Sequence, residues 1–188
     1  MNCVLLLANY RTGSSSYSHV LTQNKSIPWF PEPHLDKSKY QDCKIQFQNN
    51  EKFVIKFMPD QIEDHELYQK ILASDCYKIK LTRENKIEQI ASYYIALMTG
   101  VWNDHLNEYA RGNKYTVDIS MEKIKTSIEI ITKNDRLLET IDIKFDQELT
   151  YESLADAGTL TSGTLKLPPP KNYTIIKQLI EHEHNKSR

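Results

Sequence analysis

The sequence predicts an α/β fold: a single domain with a mainly parallel sheet flanked by helices. Short apolar runs that suit buried strands alternate with segments of helical periodicity along the whole chain. The first run, Cys3 to Ala8, leads straight into a small-residue turn and then into a helical pattern. At 188 residues with 39% hydrophobic residues, the chain has the size for one core and a strongly polar surface.

The elements follow in order. After the strand Cys3–Ala8, residues 12 to 16 are small, and Tyr17, Val20 and Leu21 recur at helical spacing. Residues 26 to 50 contain Pro28, Pro31 and Pro33 and read as an irregular crossover, with a short strand near Lys44 to Phe47. Phe53 to Phe57 is a second strand, ended by Pro59, and Asp60 to Ser74 a helix. Tyr77 to Thr82 alternates apolar and polar residues as a third strand. In Glu84 to Thr99, Ile87, Ile90, Ala91, Tyr94, Leu97 and Met98 share one helical face, and Gly100 stops the helix. Residues 101 to 116 read as a polar loop containing aromatics. Met121, Ile124, Ile128 and Ile131 mark a further helix, Ile141 to Phe145 a strand, and Tyr151 to Ala157 a short helix. Thr159 to Pro170 is a loop stiffened by three prolines, and Ile175 to His182 a closing helix.

Charge is balanced, with 24 basic and 25 acidic residues and a net charge of −1. This leaves no global basic field for nucleic acid or a membrane surface, although it is silent about local clefts. Cys3, Cys43 and Cys76 form neither a CxxC pair nor a zinc spacing, so buried free thiols in a reducing compartment are expected. No apolar stretch approaches a membrane span, and Val4 to Leu7 is too short for a secretion signal. The expected location is cytoplasmic. No cluster of metal-ligating residues stands out.

Parallel sheets bind ligands beyond the carboxyl ends of their strands. Two turns qualify. Arg11-Thr12-Gly13-Ser14-Ser15-Ser16 opens a helix, so it presents backbone N–H groups, serine hydroxyls and a guanidinium to a phosphate or sulfate. The same residues also read as a serine-capped helix start. The triphosphatase loop G-x-x-x-x-G-K-S/T is absent, which argues against a magnesium-dependent ATPase. In the second turn Arg83 follows a strand, with Gln89 and Ser92 six and nine positions on. The plain alternative there is a surface arginine and a helix-packing serine.

Together the two segments resemble the nucleotide-binding signature of sulfotransferases that use 3′-phosphoadenosine 5′-phosphosulfate (PAPS). VLLLANYRTGSSS at 4 to 16 resembles the family's strand and 5′-phosphosulfate loop. IKLTRENKIEQIASYY at 79 to 94 resembles its strand and helix for the 3′-phosphate. The form R-x-N-x-x-x-Q-x-x-S is similar to the bacterial branch with the trehalose and nodulation-factor sulfotransferases. PEPHLD at 31 to 36 and FDQELTYESL at 145 to 154 add weaker matches in the right order. The resemblance spans residues 3 to 157 and implies one sulfotransferase-like domain over 1 to 188, related to nucleotide kinases, with 158 to 188 as a C-terminal loop and helix.

Carried over, Arg11, Thr12, Gly13, Ser14, Ser15 and Ser16 would hold the 5′-phosphosulfate, and Arg83 and Ser92 the 3′-phosphate. Arg11 stands where other branches carry a lysine. The chain is shorter than most relatives. The C-terminal Arg-Lys-Gly element is missing, with Lys166 or Lys171 as its possible replacement. The implied activity is transfer of sulfonate from PAPS to a hydroxyl of a carbohydrate or small metabolite, without a metal. Arg11 would act as a fixed positive charge, because arginine does not give up its proton near neutral pH. Glu32 is the first choice for the general base, His34 the second and Asp36 the third. Trp29, Phe30, Trp102 and Tyr109 either line the acceptor pocket or pack internally. A nucleotide-kinase-like phosphotransferase and a nucleotide-binding module without transfer are the alternatives.

Overall fold

Strand β1 (Cys3–Ala8) is the middle of a five-stranded sheet. The computed structural model describes residues 2–22, 27–102, 115–160 and 169–186. Around β1 stand β2 (Trp29–Pro31), β3 (Phe53–Phe57), β4 (Tyr77–Thr82) and β5 (Gln147–Thr150), in the order β2-β3-β1-β4-β5. Every neighbouring pair is parallel. The fold is therefore α/β, with a parallel sheet flanked by helices. Leu5, Leu6, Leu7 and Ala8 are completely buried, which explains why β1 reads as an unbroken apolar run. Leu5 and Leu7 join Phe53, Ile55, Phe57, Tyr68 and Ile71 in one core. Leu6 and Ala8 join Ile79, Leu81, Tyr17 and Leu154 in another, as strand alternation requires.

The helices are α1 (Ser14–Thr22), α2 (Lys37–Gln48), α3 (Glu66–Ala73), α4 (Lys86–Thr99), α5 (Met121–Thr140), α6 (Tyr151–Asp156) and α7 (Tyr173–Lys186). The chain forms two compact units. Met1–Glu84 with Lys133–Leu160 contains the sheet, and Asn85–Thr132 with Thr161–Arg188 contains α4 and α7. Inside the second unit, the Tyr94 hydroxyl donates to the Asp118 carbonyl (2.7 Å) and accepts from the Ser120 N–H (3.0 Å). The Asn172 side chain exchanges two hydrogen bonds with the Val117 backbone. Glu88 on α4 accepts from Tyr173 and Lys177 on α7.

The helix expected over 60 to 74 begins only at Glu66, after a 3-10 turn at Pro59–Gln61. Four further expectations need correction. Residues 37 to 48 form helix α2 rather than a crossover with a strand at 44 to 47. Its N-cap is Asp36, which accepts from the N–H groups of Ser38 (2.9 Å) and Lys39 (3.3 Å). Tyr40, Cys43 and Phe47 supply a narrow apolar stripe toward the core. Trp29–Pro31 forms an edge strand, the place where a sheet tolerates proline. The last strand is Gln147–Thr150, not Ile141–Phe145. Asp146 explains the shift: its carboxylate accepts the Lys78 N–H (2.8 Å) and its own N–H donates to the Lys78 carbonyl (2.9 Å). The ladder with β4 runs from Ile79 and Gln147 onward, while Ile141, Ile143 and Phe145 pack on the core from irregular backbone.

The last correction concerns the thiols. Cys3 and Cys76 are joined in a disulfide, with Cα atoms 4.8 Å apart. Val4 lies opposite Tyr77 in the β1–β4 register, so the two preceding cysteines meet at the same height. Cys43 is the free, buried thiol, and burial pushes its pKa up to about 12. Among the described residues no helix is long and apolar enough to cross a membrane. Replacing Cys3 by Ser should lower stability by about 2–4 kcal/mol. Urea unfolding checks this: reductant should shift the wild-type midpoint downward and leave the variant unmoved.

Candidate anion-binding site

The chain leaves β1 toward β2 on one side of the sheet order and leaves β4 toward β5 on the other. The carboxyl ends of β1 and β4 thus form a switch point, the usual position for a ligand in such a sheet. Both turns singled out in the sequence emerge there.

The β1–α1 turn is held from below. Asn9 is fully buried, and its amide donates to Asp135 (2.9 Å) while its carbonyl oxygen accepts the Tyr10 N–H (2.6 Å). The Thr12 hydroxyl donates to the Asn9 backbone carbonyl (2.9 Å). Arg11 and Gly13 adopt left-handed backbone angles, with φ of 59° and 76°. Gly13 is required twice over, because a Cβ there would also stand 2.8 Å from the Tyr151 ring. The Tyr17 N–H bonds the Gly13 carbonyl (3.0 Å), so the N–H groups of Ser14, Ser15 and Ser16 precede the helical ladder. They point with the positive end of the α1 dipole. Ser14 is buried and its carbonyl accepts from Ser18 (2.5 Å), whereas Arg11, Ser15 and Ser16 are half-buried.

Arg83 follows β4 directly and reaches this turn. Its Nη1 donates to the Arg11 carbonyl (3.3 Å), and its guanidinium stands 4.5 Å from the centre of the Tyr151 ring. Its Nε is buried and makes no hydrogen bond, with a Glu152 carboxylate oxygen 3.9 Å away. The other Glu152 oxygen accepts the Glu84 N–H (3.0 Å). Arg83 therefore joins the two predicted turns and carries an orphaned buried donor, which suits an anionic group. Ser92 lies half-buried on α4, in the second unit.

A third cation was not among the predicted residues. Lys56, at the carboxyl end of β3, is buried, and its Nζ bonds the Glu32 carboxylate (2.9 Å) and the Ser15 hydroxyl (3.2 Å). A lysine inside the apolar run FVIKF was the available signal. Glu32 itself has φ of 47°, and its N–H donates to the Lys56 carbonyl (2.7 Å). Gln61 donates to its second oxygen (3.2 Å). Burial pushes the Glu32 carboxyl up, but the Lys56 charge and the hydrogen bonds from Lys56 and Gln61 outweigh it and hold the group below its ordinary value.

The other candidates are placed differently. His34 rests on Tyr68, whose hydroxyl accepts the His34 backbone N–H (3.2 Å) and lies 2.8 Å from its Nδ1. The His65 ring is 4.8 Å away. Burial and His65 lower the His34 pKa against the opposing pull of Glu32 and Asp60. Asp36 is committed to capping α2. Phe30 is buried in the core, and Trp29 is half-buried on the edge strand. Trp102 packs edge-on against Tyr93, and Lys171 is exposed, both in the second unit. Tyr109 and Lys166 lie outside the described residues.

No protein-family model matches the chain, and no curated protein matches it. Among solved structures it is similar to an uncharacterized protein from Eubacterium ventriosum, at 12% identity and a TM-score of 0.41, over 86% of this chain and 99% of the other.

Gly13→Ala should destabilise the protein by about 2 kcal/mol or more, from the left-handed backbone and the Tyr151 overlap. A Tyr151→Ala background should recover part of this loss in thermal unfolding, because it removes the overlap and leaves the backbone strain. His34 gives a pH dependence of defined sign. Its folded pKa lies below the unfolded value, so its contribution is complete above about pH 6.5 and is lost as pH falls through the folded pKa. The urea midpoint should drop between about pH 7.5 and pH 5.5, and His34→Gln should flatten that drop.

Proposed function

We propose that the chain is a sulfotransferase that moves the sulfonate of PAPS to a hydroxyl acceptor, on a carbohydrate or small metabolite. The observation that carries the reading is the hydrogen bond from Arg83 to the Arg11 carbonyl. Two segments 72 residues apart, each chosen from sequence for a different phosphate of one nucleotide, adjoin at the sheet's switch point. The orphaned Arg83 Nε and the serine N–H groups of α1 add donors suited to phosphate and sulfonate oxygens.

In this scheme the acceptor oxygen attacks sulfur as the bond from sulfur to the bridging phosphate oxygen breaks. The sulfonate passes to the acceptor, 3′-phosphoadenosine 5′-phosphate leaves with the bond's electron pair, and the hydroxyl proton goes to a base. Arg11, Lys56 and the α1 N–H groups stabilise charge on the leaving oxygen and the sulfonate in flight. Glu32 takes the proton. Its carboxylate shares Lys56 with Ser15, which places it beside the turn, whereas Asp36 is a helix cap and His34 is turned to Tyr68. The Cys3–Cys76 bond removes the reducing-compartment basis for a cytoplasmic location, because disulfides persist in oxidising compartments.

A second reading has one observation in its favour. Glu32 is ion-paired and held below its ordinary pKa, which makes it a weak base as it stands. That favours a module that binds the nucleotide and transfers nothing. Sulfate transfer from labelled PAPS across a broad acceptor panel separates the two.

3′-Phosphoadenosine 5′-phosphate, without magnesium, should raise the melting temperature, by the equivalent of about 2.7 kcal/mol at a hundredfold excess over Kd. No shift at saturation would sink both readings. Arg83→Ala should weaken that binding about tenfold or more by calorimetry. An unchanged affinity would remove Arg83 from the site.

A further inference from the structure

Lys56 is buried, with 3% of its surface exposed, and stands between two segments of different use. On one side its Nζ pairs with Glu32 at 2.9 Å, and on the other it donates to Ser15 at 3.2 Å, in the first turn of α1. An anion bound by the α1 N–H groups and the Ser15 hydroxyl would sit beside this ammonium. Lysine is a compact charge on a flexible stem, so it can turn from one oxygen to another without losing a two-pronged geometry. Gln61, held by its own bond to the Met58 N–H (2.8 Å), keeps Glu32 in place when the lysine turns.

We propose that an anion in the β1–α1 turn takes Lys56 from Glu32, so that filling the turn converts Glu32 from a counter-ion into a proton acceptor. Two effects act in the same direction. Glu32 loses part of its cation, and a new negative charge arrives near it, so its protonated form gains. The groups that face Glu32 are Lys56 from β3, Gln61 from the turn after it, His34 on its own segment and Tyr68 from α3. Ser15 of α1 acts through Lys56, and His34 in turn meets His65 and Asp60. The empty protein would thus hold its base idle, and donor binding would switch it on. This rests on the turn binding an anion, as in the sulfotransferase reading, but not on the nucleotide.

Inorganic sulfate isolates the effect, because it does not titrate near neutral pH and makes no adenosine contacts. Calorimetric titration of the protein with sodium sulfate at about pH 5.5, in two buffers of different ionisation enthalpy, reads protons taken up per anion bound. Sodium chloride at equal ionic strength is the control. The wild type should take up a measurable fraction of a proton. Glu32→Gln should take up clearly less than the wild type and should bind sulfate several-fold more tightly, since nothing charged competes for Lys56. His34 is retained in that variant, so any share it contributes cancels in the comparison. Carboxyl carbon resonances of the wild type give a second measurement that needs no variant: the Glu32 midpoint should rise when sulfate is added. Equal uptake in both proteins, an unmoved Glu32 midpoint, or no sulfate binding would overturn the proposal. Nucleotide binding without linked protons would overturn it and leave the sulfotransferase reading standing. Sulfate-linked uptake with no nucleotide binding would do the reverse.

Discussion

A buried ammonium organises the carboxyl end of the sheet. Lys56 lies in a strand whose residues are all buried, and an unpaired charge there would cost several kcal/mol. Glu32 supplies the counter-charge, and the surrounding backbone is arranged to deliver it. The β2–β3 register sets Pro31 opposite Lys56, the next N–H bonds the Lys56 carbonyl, and Glu32 turns left-handed between two prolines. The short 3-10 turn Pro33–Leu35 and the Asp36 cap of α2 follow at once. Through Ser15 the same lysine also fixes the first turn of α1. One charge therefore ties together the segments that leave β1, β2 and β3.

The opposite side of β1 uses a different device. Arg83 spans from the end of β4 to the Arg11 carbonyl, and Tyr151 fills the space above Gly13 while presenting its ring face to the guanidinium. A glycine, an arginine and an aromatic ring thus determine one another's positions. The left-handed angle at Arg11 carries a real cost for a residue with a side chain. The buried Asn9 below it and the Arg83 bond above it offset that cost. The turn is therefore shaped before any ligand arrives, which lowers the ordering penalty of binding.

What the sequence revealed depended on whether neighbours in space were also neighbours in the chain. β1, β3, β4 and α4 were legible because their apolar patterns are continuous and local. The anion turn and Arg83 were legible because their chemistry is carried by adjacent residues. Helix α2 was missed because Cys43 is its single buried residue and its apolar stripe is narrow. β5 was misplaced because Ile141, Ile143 and Phe145 alternate like a strand yet pack from irregular backbone, while polar Gln147 to Thr150 makes the ladder. The Cys3–Cys76 bond depends on a register between strands 73 residues apart, which no local pattern encodes. Lys56 was visible as an oddity in FVIKF, but its partner could be named only once β2 was placed beside β3.

Charge at the site bears on what kind of ligand it favours. Lys56 faces Glu32, Arg83 faces Glu152, and Asp135 stands behind the turn at Asn9. The cations of this region are thus largely matched by carboxylates within the same unit, as the net charge of −1 for the whole chain would suggest. An anion bound as proposed would gain the α1 N–H groups but would compete with Glu32 for Lys56 and with Glu152 for Arg83. A single-point anion recovers one of these cations and remains weak. A ligand with two anionic ends on one frame can recover both, and its second contact benefits from the high effective concentration created by the first. Under the proposed sulfotransferase reading, that asymmetry would favour a donor phosphorylated at two positions over a simple phosphate ester.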